Sequence, residues 1–496
     1  MEYHLLTYSL LFLPIVAILY QFTPAKFRWI VLLAADYLFF WMVSKWLIIF
    51  LLIATLTTYG TGRILTYVTE HSTVKGKQLT KKKRCVLALG IAITLGMLIV
   101  FKYLKIFGLS LIAPIGISYY TLQTISYMTD VYRGTIKADT NFAKVALYLS
   151  FFPQIMEGPI SRYSQTADAL FAGQSIEYCN LTYGYQRILW GLFKKMMVAD
   201  RLAPVIFKIF GDYEKYDGAA VAVAVICYTI QLYTEFSGGM DIILGSGEIF
   251  GITLPENFRQ PFFASSASDF WRRWHITLGT WLKDYIFYPL SLAKPVKNFA
   301  KKVKASCGIR VSRFVAPTVA LFFVWLSNGI WHGAGWTYLF YGMYYFVLIF
   351  IENITEEPIG KLITKWNIHK EKLGWRLLNI FRLFIIINVG ELFFRAPSVT
   401  QGFGMLGRIL TNFHISILNA MDFGLDNYDI LLSMAGIFIV LMVDIIHEKG
   451  ISIRDKIASC QLPVRWGFWY AVIFFIVIFG AYGAGYTVVD MIYAAY

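Results

Sequence analysis

Residues 325–345 read WLSNGIWHGAGWTYLFYGMYY, and the other motifs of the chain can be related to this stretch. It contains one histidine, His332, between Trp331 and Gly333. No charged residue occurs from residue 314 through residue 351, which is nearly two membrane-spanning lengths, since one span needs about 20 apolar residues. A titratable imidazole at that depth is costly to keep, so His332 is a candidate functional residue.

The surroundings of His332 limit the chemistry open to it. Glycines at 329, 333 and 335 leave room for another backbone or a substrate. The chain has no HExxH, GxSxG or phosphate-binding glycine motif, so we expect neither a metal nor a tightly bound cofactor. Proton transfer remains, because a neutral imidazole can take the proton of a hydroxyl that attacks an activated acyl group. The alternative is a buried histidine that only hydrogen-bonds a neighbouring helix.

The composition is typical of an all-α polytopic membrane protein. Of the 496 residues, 57% are hydrophobic and 15% are charged, against about 25% charged in ordinary soluble domains. The net charge of +15 comes from basic residues between apolar segments, which fits the positive-inside rule better than nucleic-acid binding. The acid-free basic runs at 75–84 and 294–313 are therefore predicted to be cytoplasmic loops. We expect residues 4–22 to form a retained first helix, because no basic n-region or cleavage site is present.

The apolar spans alternate with polar or broken segments. We predict about eleven transmembrane helices in a single domain covering residues 1–496. Residues 111–134 are apolar but rich in Ser, Thr, Gln and Tyr, which indicates a face toward protein or a wet cavity. Residues 143–163 hold a short apolar run before Pro153 and Pro159, which predicts a re-entrant or interfacial segment. A further cytoplasmic end is predicted from three basic residues, Lys194, Lys195 and Arg201.

Residues 265–290, SSASDFWRRWHITLGTWLKDYIFYPL, predict an amphipathic helix in the membrane interface. Ser266 or Ser268 can cap its first turn. Both arginines of the RRW triplet lie on the polar side, and His275 points with the apolar side into the protein. The alternative is an ordinary interfacial anchor with a structural histidine. The apolar side repeats at i, i+4, i+7 and i+11 and comprises Trp271, His275, Leu278 and Leu282.

These motifs resemble the membrane-bound O-acyltransferase family, in the bacterial branch similar to alginate O-acetylation proteins. The order and spacing of RRWH and WHGA are highly specific, and scattered matches cover about residues 5–400. The stretches that carry the resemblance are PIGIS at 114–118, TLQTISYMTDVYRG at 121–134, SFFPQIMEGPISRY at 150–163, FSGGMDIILGSGEIFGITLPENF at 236–258, DFWRRWHITLGTWLKDYIFYPL at 269–290, IWHGAGWTYLFYG at 330–342 and ELFFRAP at 391–397.

The resemblance implies a ring of tilted helices, with re-entrant and interfacial helices, around a funnel that crosses the membrane. It implies that His332 is the catalytic general base and His275 a second active-site residue. A cytoplasmic donor, acetyl-CoA or an acyl-carrier protein, would supply the acyl group, and the acceptor would be a separate extracytoplasmic esterase-like protein. The chain itself would be a multi-pass protein of the bacterial plasma membrane. We expect the funnel to be lined by Trp331, Gly333, Asn328, Trp271, Trp274, Gln154 and Glu235.

Several functions remain open at this point. In our preferred interpretation the acyl group is acetyl, and its transfer modifies a cell-envelope polysaccharide. The alternative is transfer of D-alanine from a carrier protein to teichoic acid. A transporter or flippase of an envelope precursor is the alternative from another class. Transporters usually rely on charged relays within the membrane, whereas the principal apolar block here has no acid. A scaffold subunit gives no reason for a histidine among glycines.

Overall fold

The computed structural model describes residues 7–104, 112–414 and 423–482, and most of this part is helical. The first half contains α1 (Leu13–Phe22), α2 (Arg28–Ser44), α3 (Ile48–His71), α4 (Lys77–Tyr103), α5 (Ile117–Arg133), α6 (Phe142–Ser150), α7 (Tyr163–Ala172), α8 (Tyr178–Phe193), α9 (Asp200–Gly211) and α10 (Gly218–Ile249). The second half contains α11 (Ala267–Arg273), α12 (Ile276–Leu282), α13 (Tyr288–Ser291), α14 (Lys294–His332), α15 (Trp336–Lys365), α16 (Leu373–Arg395), α17 (Val399–Thr411), α18 (Asn427–Glu448), α19 (Ile453–Ala458) and α20 (Leu462–Phe479). Short π-helical turns precede α1, α9 and α13, at Tyr8–Phe12, Lys194–Ala199 and Lys283–Phe287.

The architecture confirms an all-α polytopic membrane protein. Within the described residues, eight helical stretches are long and apolar enough to cross a membrane, where the sequence predicts about eleven. One of the eight, residues 25–71, turns at Lys45, whose φ is +49°, and so comprises both α2 and α3. The expected first helix is described from residue 7; the earlier part of residues 4–22 lies outside the described residues. The spanning stretches are Ala25–His71, Lys77–Tyr103, Gly218–Ile249, Lys294–His332, Trp336–Lys365, Leu373–Arg395, Asn427–Glu448 and Leu462–Phe479.

The two basic runs are helical, so the prediction that they are loops is wrong. The run at 75–84 falls mostly in the first turns of α4, and only residues 72–76 separate α3 from α4. The run at 294–313 forms the start of α14, because lysine and arginine are good helix formers. It is interrupted at Gly308, where φ is +81°, and the chain folds back so that Ser312 Oγ donates to Ala300 O at 2.8 Å.

Lys194, Lys195 and Arg201, from which a cytoplasmic end is predicted, lie inside the protein. Their side chains are almost fully buried where α8 continues into the π-helical turn and α9. A cation can stay buried only with a charged or hydrogen-bonding partner, and each of the three has one. The partners are Asp241 for Lys194 (2.6 Å), Glu235 for Lys195 (3.3 Å) and Asp429 for Arg201.

Residues 143–163 form no spanning helix, as predicted. After α6 the chain makes irregular turns, and every residue from 151 through 162 is buried. The carboxylate of Asp36 on α2 fixes this backbone, accepting from Phe152 N at 2.7 Å and from Ser150 Oγ at 3.1 Å. Irregular backbone at membrane depth is tolerated where protein buries it, so this segment is a part of the core.

Candidate active site

The hairpin of α14 and α15 places His332. His332 is the last residue of α14, and α15 begins after the short turn at 333–335. The two helices approach closely at glycines: a Cβ at Gly329 would lie 2.6 Å from Tyr338 O, and one at Gly342 would lie 2.4 Å from Trp325 O. Gly329 and Gly342 therefore let the backbones of the two helices pack together, and this packing sets the position of His332.

Aromatic rings enclose the His332 imidazole, which is only 3% exposed. The ring centroids of Trp331, Phe394 and Tyr341 lie 5.0, 5.1 and 6.1 Å away, each nearly perpendicular to the imidazole. The Tyr341 hydroxyl donates to Glu391 Oε1 at 3.0 Å, which brings a buried carboxyl group close to this cluster. The sequence shows Glu391 only as an acid near a span, and nothing in its spacing connects it with His332.

His275 lies at a break between two short helices, so the prediction of one continuous helix over 265–290 is wrong. α11 ends before Trp274, His275 adopts left-handed backbone angles (φ +46°, ψ +50°), and α12 follows. The break is caused by a distant segment that pairs with this backbone: Arg259 N donates to Arg273 O at 2.9 Å, and Ile276 N donates to Asn257 O at 3.0 Å. The predicted cap at Ser266 is confirmed, since its side chain accepts from Asp269 N.

The His275 side chain points into the protein, as predicted, and is 1% exposed. Its Nδ1 lies 3.2 Å from Asn257 Oδ1, and its ring packs edge to face against Phe236 at 4.9 Å. His275 belongs to none of the spanning helices, and burial lowers its pKa to about 3. The imidazole is therefore neutral at physiological pH.

Trp331 connects the two histidines. Its indole lies 5.0 Å from the His332 ring and 5.7 Å from the His275 ring. The indole Nε1 donates to Ser118 O at 3.3 Å, and Lys102 Nζ lies 5.4 Å from the indole centroid and donates to Trp331 O. Lys102 thereby caps the C-terminal end of α14. The sequence analysis missed this residue, although a lysine inside the apolar run of α4 was a usable signal.

The other predicted funnel residues divide into three groups. Trp271 and Trp274 belong to the aromatic shell, by which we mean the rings packed around the two histidines. Trp271 lies 6.2 Å from the ring of Tyr341, which contacts His332, and Trp274 lies 6.5 Å from the ring of Phe236, which contacts His275. Asn328 is buried one turn before His332, next to the hairpin turn that contains Gly333. The described contacts of Gln154 and Glu235 lie elsewhere in the core, with Ser161 and Tyr148 for Gln154 and with Lys195 for Glu235.

Asn257 was missed by the sequence analysis. It is fully buried in the extended stretch after α10, and no periodic pattern marks it. It also borders a cavity of about 860 Å³, between α8, α10, α18 and α20, whose lining includes Arg187, Asp241 and Asp444. Among the described residues, no group of three or more His, Cys, Asp or Glu side chains is placed to hold a metal ion. The arrangement suits proton transfer by imidazole in a closed aromatic site.

Known proteins with similar sequences share this part of the chain. Residues 134–389 match the model of the membrane-bound O-acyltransferase family, a range that contains both histidines. The chain is 31% identical over 414 residues to a probable alginate O-acetylase of Azotobacter vinelandii, covering 80% of this chain and 75% of that protein. It is 31% identical to a peptidoglycan O-acetyltransferase of Helicobacter pylori over 65% of this chain and 64% of that protein. It is 29% identical to a teichoic acid D-alanyltransferase of Bacillus subtilis over 54% of this chain and 62% of that protein.

Proposed function

This chain belongs to the membrane-bound O-acyltransferase family, and we propose that it transfers an acetyl group from a cytoplasmic activated donor across the membrane to an extracytoplasmic hydroxyl. The observation that carries the proposal is the pair of buried imidazoles, His275 and His332, which both contact Trp331 within the family-matched range. The product would be an O-acetylated cell-envelope polysaccharide. Acetyl-CoA or an acyl-carrier protein is the proposed donor, bound as a co-substrate.

In the proposed reaction His332 is the general base. Its imidazole accepts the proton of the acceptor hydroxyl while the hydroxyl oxygen attacks the thioester carbonyl of the donor. The carbon–sulfur bond then breaks, and the imidazolium returns the proton to the departing thiolate, so that an ester and a free thiol result. The aromatic shell around His332 excludes water, which would otherwise hydrolyse the donor. Trp331 contacts both His332 and His275 and keeps the two imidazoles in place.

The immediate acceptor in this proposal is a serine of a separate extracytoplasmic esterase-like protein, which passes the acyl group to the polymer. Similarity to the probable alginate O-acetylase, which covers 80% of this chain, supports acetyl transfer. A membrane transporter or flippase is the rival from another class. The described residues support it less, because charged side chains at membrane depth such as Lys194 and Asp241 are engaged in ion pairs. Beside the histidines, Lys102 is engaged by Trp331 O, and Glu391 is engaged by the Tyr341 hydroxyl.

D-alanyl transfer is a second candidate, which one observation favours. Glu391 lies beside the His332 cluster through its hydrogen bond with Tyr341. A D-alanyl group carries an ammonium that a carboxylate binds by a charge-assisted hydrogen bond, whereas an acetyl group carries no charge. Glu391→Gln separates the candidates: a D-alanyl enzyme should lose most of its transfer, and an acetyl enzyme should keep it. The similarity to a teichoic acid D-alanyltransferase covers 54% of this chain.

The proposal is tested with acyl groups released from the envelope by mild base. Cells that lack the gene and carry wild-type protein should release acetate, and cells carrying His332→Ala, His332→Asn or His332→Gln should release about a hundred- to ten-thousand-fold less per unit time. Asparagine and glutamine keep hydrogen bonding but cannot take the proton. His369→Gln, at an exposed histidine, is the matched control and should behave as wild type. Release of D-alanine would support the second candidate, and near-normal transfer by His332→Gln would remove the general-base role.

A further inference from the structure

We propose that Asn257 is a positioning residue that fixes His275 as a single neutral tautomer, with the proton on Nδ1 and the acceptor lone pair on Nε2. The inference rests on the proposed function in one respect, since it takes His275 to be part of the active site. The observations that support it are hydrogen bonds among buried atoms of α12, the extended stretch before α11, and the irregular segment after α6.

The orientation of the Asn257 amide is decided by its neighbours. The backbone N–H of Thr277, which can only donate, points at the Asn257 side-chain atom 3.0 Å away. That atom must therefore be the oxygen, Oδ1. The Thr277 hydroxyl also donates to Oδ1 at 2.9 Å, because an amide oxygen carries no hydrogen, and the hydroxyl oxygen accepts from Ile160 N at 3.0 Å. The amide cannot be reversed without placing two donors against each other.

The tautomer of His275 follows from this orientation. Nδ1 lies 3.2 Å from Oδ1, and two lone pairs facing each other at that distance would repel, so Nδ1 must carry the proton. Burial keeps the imidazole neutral, so Nε2 holds a lone pair. Asn257 also holds the left-handed backbone of His275 through the bond from Ile276 N to Asn257 O. One asparagine thus sets both the ring direction and the ring protonation.

This tautomer has a consequence for the reaction. When His332 takes a proton it becomes a cation, and both imidazoles contact Trp331. A His275 held in its neutral form adds no second positive charge to this cluster, whereas a His275 imidazolium would oppose the His332 cation. The other charged or titratable groups that Asn257 faces line the neighbouring cavity. Arg187, Lys194, Asp241, Glu256 and Arg454 are engaged in ion pairs, Asp444 accepts from the Tyr233 hydroxyl, and His447 also lines the cavity.

The first test measures the tautomer directly and needs no substrate. Solid-state NMR of ¹⁵N-histidine-labelled protein in proteoliposomes distinguishes protonated from unprotonated ring nitrogens, and the signals of His275 are those absent from His275→Ala. We expect a protonated Nδ1 and an unprotonated Nε2 in the wild type, and a mixture of tautomers in Asn257→Leu. Thr277→Val removes one hydrogen bond to the same oxygen but not the one from Nδ1, so it should keep the wild-type tautomer. A protonated Nε2 in the wild type would overturn the proposal.

The second test separates positioning from a purely structural role. Asn257→Leu should lower kcat by up to about a hundredfold at unchanged KM, and should cost nothing further in a His275→Ala background. Asn257→Asp keeps the acceptor oxygen but adds a negative charge that stabilises the His275 imidazolium. At high pH the activity of this variant should therefore match that of the wild type. As the medium is acidified, the variant should lose activity at a higher pH than the wild type does. The proposal would be contradicted if the losses of kcat caused by Asn257→Leu and His275→Ala added up in the double variant. It would also be contradicted if the pH dependence of activity were the same for Asn257→Asp and the wild type. Full activity of His275→Ala would instead refute the proposed role of His275 and leave the tautomer measurement standing.

Discussion

The indole of Trp331 lies 5.7 Å from the imidazole of His275, at an interplanar angle of 63°, and 5.0 Å from the ring of His332. Trp331 therefore contacts both histidines. Removing the indole should let both imidazole rings move, whereas a smaller flat ring in its place should keep a packing surface for each of them.

Trp331→Ala and Trp331→Phe test this relationship. Deleting a buried tryptophan side chain typically costs about 3–5 kcal/mol, so Trp331→Ala should melt at a lower temperature and transfer little acyl group. Trp331→Phe keeps an aromatic face and loses the hydrogen bond to Ser118 O, worth about 0.5–1.5 kcal/mol, so it should retain much of the activity. Thermal unfolding in detergent and acyl transfer in cells are the measurements. Equal activity of the two variants would show that transfer does not depend on an aromatic ring at position 331.

The sequence predicted the local structure well where the decisive contacts are local. His332 stood out because a long uncharged stretch surrounds it, and the hairpin that places it uses glycines only a few residues away. The same holds for the Ser266 cap, since capping depends on neighbouring residues.

The sequence failed where a distant segment decides the structure. The apolar period across residues 271–282 persists through the break at His275, because α11 and α12 bury the same side, and the period therefore suggested one helix. The break is imposed by backbone hydrogen bonds from Asn257 and Arg259, which no local pattern reveals. Lys195 was misplaced for the same reason, since its partner Glu235 is supplied by another helix.

The buried pair of Lys195 and Glu235 should matter strongly for stability. Lys195→Met leaves the carboxylates of Glu235 and Asp200 buried without their cation, and breaking a buried pair costs about 3–5 kcal/mol. The double variant Lys195→Met/Glu235→Gln should recover part of the loss, because only one carboxylate then lacks its partner. The melting temperature in detergent is the measurement. A double variant less stable than Lys195→Met alone would show that the pair is not coupled in this way.

The two basic runs are predicted to face the cytoplasm although they are helical. Single cysteines at Lys77 and Lys301 in a background without the five native cysteines should resist an impermeant thiol reagent in intact cells and react after permeabilisation. The native cysteines must be removed because Cys85 and Cys307 are exposed close to the same runs. Thr400→Cys, exposed on α17 beyond the far end of α16, is the positive control and should react in intact cells. Labelling of either lysine position in intact cells would reverse the orientation.

The two arginines before Trp274 should differ from each other and from His275. Arg272 is 72% exposed, and its ion pair with Asp269 is long at 3.6 Å, so Arg272→Ala should leave folding and transfer nearly unchanged. Arg273 is mostly buried and joins Glu448 of α18 at 2.8 Å, so Arg273→Ala should lower the melting temperature. His275→Ala should instead lower transfer while the protein still purifies folded, because its ring lies beside Trp331 in the aromatic site. Acyl transfer and thermal unfolding measured on the same three preparations separate these outcomes. If Arg272→Ala abolished transfer at normal expression while His275→Ala had no effect, the polar side of this segment would be the functional one, and the placement of His275 in the active site would fail.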